Sequence, residues 1–223
     1  MLYTVLFLAG AALQAYFIIQ EHRERYVSAV ILKGSASLFF VLTGLLASGK
    51  CSEPGFARTI LIGLVFGMAG DILLNLRFVF PENGQKIFLV GIVAFLIGHI
   101  LYLAALIPLS SNLAACVAIG AVLASLLLYR VFTTMEVKPA FKVFGVVYLG
   151  AVIIMTTVAI GNLLSSFSTA ALVYAVGAVL FTVSDIVLIF NTFGSTSRFS
   201  MRIANLSLYY AGQMLIALSL LFR

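Results

Sequence analysis

Eight long apolar stretches, each of a length that crosses a bilayer as a helix, dominate the sequence. About 20 apolar residues span the hydrocarbon core of a membrane as an α-helix. The stretches lie approximately at residues 2–20, 27–48, 57–77, 86–107, 112–130, 138–160, 168–190 and 203–222. With their short connections they occupy nearly all of the 223 residues, which leaves no room for a separate soluble domain. We therefore predict an all-α membrane protein: a bundle of eight transmembrane helices that forms a single polytopic domain over residues 1–223.

Composition excludes the common soluble classes. Hydrophobic residues make up 63% of the chain and charged residues 9%, against about 45–50% and about 25% in soluble domains. Cys51 and Cys116 form no C-x-x-C pair, and His22 and His99 are the only histidines in the sequence. Neither a closed zinc site nor a haem-attachment motif can be assembled from these residues, so we expect no metal site. The sequence also lacks a Walker-type phosphate loop and a G-x-S-x-G elbow.

Basic residues between the apolar stretches predict how the chain is oriented. The odd-numbered connections carry nine Lys and Arg residues and the opposite side carries three, while Lys33 lies inside a stretch. Because Lys and Arg favour cytoplasmic loops, we expect odd connections in the cytoplasm and both termini outside. The net charge of +6 is explained by these signals, so we predict no nucleic-acid partner. The first stretch lacks a basic n-region, so we expect a retained helix, and the short loops favour a bacterial inner membrane.

Two parts of the chain resemble each other at an offset of 114 residues. The run G-D-I-L-L at residues 70–74 resembles S-D-I-V-L at residues 184–188. His99 follows Asp71 by 28 residues, and Gln213 follows Asp185 by the same 28 residues. Four spans separate the two copies, so both copies run in the same direction through the membrane. We predict a parallel 4+4 internal repeat, a device known from transporters.

Of the seven acidic residues, only Asp71 and Asp185 fall within the apolar stretches. A charged side chain at the centre of a membrane helix costs roughly 2.5–3.5 kcal/mol and usually faces the bundle interior or a water-filled cavity. Both aspartates lie about six residues, or about 9 Å, from the predicted cytoplasmic ends of their helices, and Lys33 enters from the same side. Further polar side chains share these helix faces or lie deeper: Asn75, His99, Tyr102, Tyr210 and Gln213. We predict a polar chamber that opens toward the cytoplasm.

Structural roles for the same residues stay open on the sequence alone. In a purely structural role, Asp71 and Asp185 would only hold helices together, each paired with Lys33 or with a tyrosine. Lys33 would instead extend its amine to the interface, and His99 would serve as an interhelical hydrogen-bonding residue. Glycines such as Gly63 are expected to permit close helix packing. Two further tyrosines are assigned to neither class: Tyr148 and Tyr174.

Four short motifs stand in order along the chain: G-D-I-L-L at residues 70–74, F-L-I-G-H-I-L-Y at 95–102, F-T-V-S-D at 181–185 and Y-Y-A-G-Q at 209–213. Together they resemble the YhhN-type lysoplasmalogenases, and the resemblance covers the whole chain. It departs at Lys33-Gly34, where the family often has Lys-Pro. The resemblance implies eight spans and hydrolysis of the vinyl ether bond of lysoplasmalogens, a class of lysophospholipid. The products would be a fatty aldehyde and glycerophospho-ethanolamine or -choline, formed with no metal or organic cofactor.

Vinyl ether hydrolysis suits the two carboxyl groups. Protonation of the β-carbon gives an oxocarbenium ion, water adds, and the hemiacetal collapses to aldehyde and alcohol. Two carboxyl groups in a low-dielectric site supply one acid and one carboxylate, as in glycosidases. We therefore expect Asp71 and Asp185 to be the acid and the base or cation stabiliser, in either order, and Lys33 to bind the lipid phosphate. We expect five residues to orient water and substrate: Asn75, His99, Tyr102, Tyr210 and Gln213.

Two other classes of function fit the same residues. A proton-coupled secondary transporter of a small or lipid-like solute would also use buried aspartates, a histidine and an internal repeat. Its helices would be expected to carry Gly/Pro interruptions near the midplane, and no stretch shows them. A non-catalytic lipid-binding or scaffolding protein would use the aspartates for helix association alone. The family resemblance favours the enzyme.

Overall fold

Eight α-helices form the protein, and the part of the chain that the structure describes contains no strand. The computed structural model describes residues 1–135 and 139–223, with side chains for 1–135 and 142–223. The helices are α1 (Leu2–His22), α2 (Tyr26–Ser48), α3 (Pro54–Val79), α4 (Gly84–Leu106), α5 (Leu113–Thr134), α6 (Pro139–Ser165), α7 (Thr169–Phe193) and α8 (Phe199–Ser219). Each is long and apolar enough to cross a membrane. The predicted all-α, eight-span membrane fold is confirmed.

Several helices extend a few residues beyond the predicted stretches at one end or at both. Helix α3 extends from 54 to 79 instead of from 57 to 77, and α8 begins at Phe199 instead of at 203. The reason is that hydropathy marks only the part of a helix that lipid surrounds, whereas backbone hydrogen bonding continues into the interface. Pro54 occupies the first turn of α3, where its missing N–H leaves no intrahelical bond unmade. The predicted start of the sixth span at 138 lies outside the described residues.

Six helices surround a central cavity. Going round it, α3 packs between α2 and α4, α6 packs between α4 and α7, and α8 packs between α7 and α2. Helix α1 covers α2 and α8 from outside, and α5 packs against α6 at the periphery. The buried apolar side chains between these helices form a large cluster that includes Phe40, Leu64, Phe181, Met214 and Ile216. The arrangement places the inner faces of α3 and α7, which carry the two aspartates, on opposite halves of the bundle.

Helix positions follow the offset of 114 residues noted in the sequence. Shifted by that offset, the ends of α1–α4 fall within three residues of the ends of α5–α8. The packing corresponds as well, because α3 packs on α4 as α7 packs on α8, and α4 packs on α6 as α8 packs on α2. The parallel repeat stays a prediction, and these correspondences support it.

Two pairs of glycines bring neighbouring helices into backbone contact. A Cβ on Gly63 of α3 would lie 3.2 Å from the carbonyl oxygen of Gly98 of α4. The second pair, Gly177 of α7 and Gly212 of α8, stands 114 residues further along. A Cβ on Gly212 would lie 2.8 Å from the carbonyl oxygen of Gly177. Small residues permit such close approach in membrane helices, so each pair fixes the spacing within its helix hairpin.

Replacing Gly177 by alanine is expected to lower the melting temperature of the purified protein. The added Cβ would lie 2.9 Å from the Gly212 carbonyl oxygen and 3.0 Å from the Ile216 amide nitrogen, which are backbone atoms that no rotamer change can move. Overpacking of this kind costs about 1–3 kcal/mol. The matched control is Gly150→Ala on α6, where no atom lies within 4 Å of the added Cβ. Equal melting of both variants in detergent would contradict a close-packed α7–α8 hairpin.

Candidate functional site

A cavity of about 1100 Å³, its open mouth included, lies between α2, α3, α4, α6, α7 and α8. Both aspartates within the spans line it, and each is only 4% exposed. Most of the wall is apolar, with side chains such as Phe95 and Leu188. The other polar and charged side chains on the wall are Lys33, Asn75, Arg77, Tyr148, Thr192, Arg202, Asn205 and Tyr209. The fold therefore brings Asp71 and Asp185 from the two halves of the chain to one apolar cavity.

Asp71 is surrounded by donors from three side chains. The Lys33 ammonium lies 3.4 Å from Asp71 Oδ1. The Tyr209 hydroxyl donates to Asp71 Oδ2 over 2.7 Å, and the Ser37 hydroxyl donates to the same oxygen. A buried ion pair is tolerated when additional hydrogen bonds satisfy its remaining lone pairs, as they do here. Asp71 thus has one cationic partner and two hydroxyl donors.

Lys33 is enclosed by the protein. The residue is 1% exposed, and its ammonium donates to Gln14 Oε1 over 3.2 Å in addition to pairing with Asp71. The same ammonium lies 4.4 Å from the centre of the Tyr209 ring, within the range of a cation–π interaction. The amine therefore does not extend to the membrane interface, which was one of the alternatives for this residue.

Asp185 has a different environment. The Tyr148 hydroxyl, on a residue that the sequence left undecided, donates to Asp185 Oδ2 over 2.7 Å. Among the described residues no cation lies within ion-pair distance of Asp185, and none donates a hydrogen bond to its Oδ1. The repeat offset places Val147 where the first half has Lys33. The two aspartates thus occupy related positions, but within the described residues only Asp71 has a cationic partner.

Three predicted site residues lie behind the cavity wall. Tyr102 donates to Gln213 Oε1 over 2.8 Å. His99 Nδ1 lies 2.7 Å from the Phe95 carbonyl oxygen, which can only accept, so Nδ1 carries the proton. His99 Nε2 is then a buried acceptor with no partner among the described residues. Phe181, whose ring centre is 4.5 Å from that of His99, separates the imidazole from the cavity.

Asn75 and Tyr210 occupy different places. Asn75 lines the cavity and donates to the Asp71 carbonyl oxygen over 2.9 Å. Tyr210 does not line the cavity, because its side chain points toward α1, where a Cβ on Gly10 would overlap its hydroxyl. Its neighbour Tyr209 contacts Asp71 instead. Tyr209 and Tyr210 precede Gln213 by four and three positions, so helical spacing puts either one on that face.

Sequence reasoning missed several residues that line the cavity or contact Asp71. Ser37 follows Lys33 by four positions and therefore lies on the same face of α2. Asn205 and Tyr209 have the same spacing on α8, and this recurring interval is the signal that could have found them. Arg77 and Arg202 were counted only as orientation signals, yet both residues line the cavity.

Metal-ligating residue types are sparse near the cavity. No three His, Cys, Asp or Glu side chains lie close enough together to hold a metal ion in the part of the chain that the structure describes. The two aspartates line the wall, whereas His99 lies behind Phe181. The absence of a metal or organic cofactor stays a prediction that a chelator can test.

Comparisons with known proteins agree with the motifs. Residues 28–220 match the sequence profile of the YhhN family. One similar protein is the mouse (Mus musculus) Lysoplasmalogenase TMEM86B, 34% identical over 176 residues, which cover 75% of this chain and 66% of that protein. The chain thus matches slightly less than two thirds of the relative's length. No solved structure matches the chain.

Proposed function

The chain belongs to the YhhN family, and from this premise we propose that it is an intramembrane lysoplasmalogenase. It hydrolyses the vinyl ether bond of lysoplasmenyl-ethanolamine or -choline to a fatty aldehyde and the corresponding glycerophospho compound. The name of the mouse relative supports this class of reaction. The observation that carries the proposal is the apolar cavity in which two carboxyl groups have different partners.

Asp185 is the proton donor in this proposal. Its only hydrogen-bonding partner among the described residues is the neutral Tyr148 hydroxyl, and no cation balances a negative charge there. An unpaired charge is costly in apolar surroundings, so the cavity accommodates the uncharged carboxyl group. Asp71, which the Lys33 ammonium and two hydroxyl groups hold as a carboxylate, stabilises positive charge instead.

The reaction consumes one water molecule and involves no change of oxidation state in the protein. The alkene electron pair takes the Asp185 proton at the β-carbon, and positive charge spreads over the α-carbon and the ether oxygen. The Asp71 carboxylate stabilises this oxocarbenium ion electrostatically. Water attacks the α-carbon and returns a proton to Asp185. In the resulting hemiacetal the bond from the α-carbon to the glycerol oxygen breaks, that oxygen takes a proton, and the hydroxyl becomes the aldehyde carbonyl.

The layer behind the cavity has a supporting role. His99, Tyr102 and Gln213 hold the wall in register through buried hydrogen bonds, and the free Nε2 acceptor of His99 is a site for a water molecule. Asn75 links to the backbone of Asp71 and lines the cavity beside it. We place the mouth of the cavity on the cytoplasmic side of a bacterial inner membrane, as the distribution of basic residues favours.

Adjacent tyrosines give a matched pair of variants. Tyr209→Phe is expected to lower kcat about 10-fold or more, because it removes a hydrogen bond that fixes the Asp71 carboxylate. Tyr210→Phe is expected to keep wild-type activity, because the Tyr210 hydroxyl is buried without a partner in the described structure. Both variants remove one hydroxyl from the same turn of α8. Steady-state rates of the purified variants test the difference, and equal activities would contradict the role assigned to Tyr209.

The proposed function is tested by aldehyde release from lysoplasmenyl-ethanolamine and -choline in detergent, with a chelator present. Release that resists the chelator supports a metal-independent hydrolase. No release by well-folded protein, over several headgroups and pH values, would overturn the proposal. Uptake driven by a pH gradient in proteoliposomes would then identify the transporter alternative.

A further inference from the structure

We propose that Arg77 binds the phosphate of the lysophospholipid at the cavity mouth and makes the protein select phosphate-bearing lipids over neutral ones. The inference rests on the proposed function, because it concerns the substrate of that same site. It also replaces Lys33, to which the sequence assigned the phosphate, with a residue whose surroundings suit an anion better.

Arg77 stands where the cavity meets an outer groove. It lines both the cavity and an adjoining groove of about 500 Å³ between the start of α4 and the end of α7. The central carbon of its guanidinium lies 4.5 Å from the ring centre of Phe78 and 4.4 Å from that of Phe88. Two aromatic rings thus contact the guanidinium and limit the orientations of this planar group.

No acidic side chain of the described chain lies within ion-pair distance of Arg77. Its Nε is buried and has no hydrogen-bond partner there. A guanidinium is always charged, and its fork of donors matches a phosphate through two parallel hydrogen bonds. The described structure therefore supplies a guanidinium that lacks a carboxylate partner, at the boundary between the apolar cavity and the adjoining groove.

The other two cations of the cavity wall are already engaged. Lys33 pairs with Asp71, deep in the cavity. Arg202 forms a two-pronged pair with Glu21, with Nε to Oε2 at 2.9 Å and Nη2 to Oε1 at 2.5 Å. A phosphate on either residue would compete with a carboxylate of the protein. Among the described residues that line the cavity, Arg77 is the cation that has no carboxylate within ion-pair distance.

Distance along α3 fits the length of the substrate. Arg77 follows Asp71 by six residues, which is about 9 Å along the helix axis. About seven bonds separate the vinyl ether β-carbon from the phosphorus of a lysoplasmalogen. At about 1.2 Å per bond, the advance of an extended chain, this spans about 8 Å. A phosphate on Arg77 therefore places the vinyl ether level with the two aspartates.

A binding measurement separates this inference from catalysis. The probes are lysophosphatidylethanolamine, which has an ester in place of the vinyl ether, and a monoacylglycerol of the same chain length. Arg77→Gln is expected to weaken binding of the phospholipid about 10- to 100-fold and to leave the Kd of the neutral lipid unchanged. Arg77→Lys keeps the charge but loses the fork, so an intermediate loss is expected. The control is Arg23→Gln, which removes the same charge from an exposed residue outside the cavity.

Each outcome of this experiment decides the point. If Arg77→Gln changes the Kd of both lipids equally, or changes neither, the inference is overturned. If Arg77→Gln does not fold, the same comparison is made with Arg77→Lys. If inorganic phosphate stabilises the wild type as strongly as the phospholipid does, the ligand of Arg77 is not specifically a lipid headgroup and the inference is overturned. Arg77-dependent binding without aldehyde release would retain the phosphate site and refute the hydrolase. Aldehyde release together with binding that does not depend on Arg77 would support the hydrolase and refute the phosphate site.

Discussion

Asparagine in place of Asp185 is expected to reduce aldehyde release by about 10²- to 10⁴-fold, the usual contribution of a positioned general acid. The amide has nearly the same shape, but it has no acidic proton to deliver to the β-carbon. The Tyr148 hydroxyl still has an oxygen to which it donates, so the fold should survive. The measurement is the initial rate of aldehyde release by variants that elute as single species from a sizing column.

Asp71→Asn provides the comparison within the same cavity. It removes the negative charge that faces the oxocarbenium ion, and a loss of about 10²- to 10³-fold is expected. Glu82→Gln serves as the control, because Glu82 is an exposed acidic residue in the connection between α3 and α4. Full turnover by well-folded Asp71→Asn and Asp185→Asn would rule out the carboxyl mechanism proposed for this cavity.

Loss of Lys33 should affect stability more than any other single change at the site. Lys33→Met leaves the buried Asp71 carboxylate without its cation, and breaking a buried pair in this way costs about 3–5 kcal/mol. The double variant Lys33→Met/Asp71→Asn removes both charges and is expected to recover most of that loss while remaining inactive. The measurements are the melting temperature in detergent and the yield of monodisperse protein.

An exposed ion pair gives the control for this prediction. Glu53 pairs with Arg223, and its side chain is half exposed. Because exposed pairs contribute little to stability, Glu53→Gln should melt close to the wild type. If the double variant were as unstable as Lys33→Met alone, the loss would come from packing of the lysine stem and not from an unpaired charge.

The candidate site residues that the sequence marks most clearly are the charged residues that interrupt apolar stretches. Asp71 and Asp185 interrupt long apolar runs, so their cost in lipid marks them without any structure. Tyr209 and Tyr210 are both compatible with the face of Gln213, and only the rotation of α8 about its axis decides between them. That rotation is set by packing against α1, α2 and α7, which no local pattern encodes.

The different partners of the two aspartates could not be predicted for a related reason. Lys33 is visible in the sequence as an isolated charge. Its side chain is long enough to extend to the interface, to bind the lipid phosphate or to pair with Asp71. The Ser37, Tyr209 and Gln14 side chains decide in favour of Asp71, because together they form a polar enclosure around the pair. Arg77 was interpreted from the sequence as an orientation signal because it lies near the end of a helix. The structure shows that it also lines the cavity.

The ion pair between Lys33 and Asp71 also bears on how the protein enters its membrane during synthesis. The two residues lie on consecutive helices, α2 and α3, joined by a connection of only a few residues. Inserted one at a time, each charge would cost about 2.5–3.5 kcal/mol, whereas a helical hairpin carries them in as one neutral unit. Tyr148 and Asp185 are likewise on successive helices, so both partnerships are available before the bundle closes. The order of the helices therefore allows the nascent chain to form its costliest polar contacts locally, ahead of the long-range packing that creates the cavity.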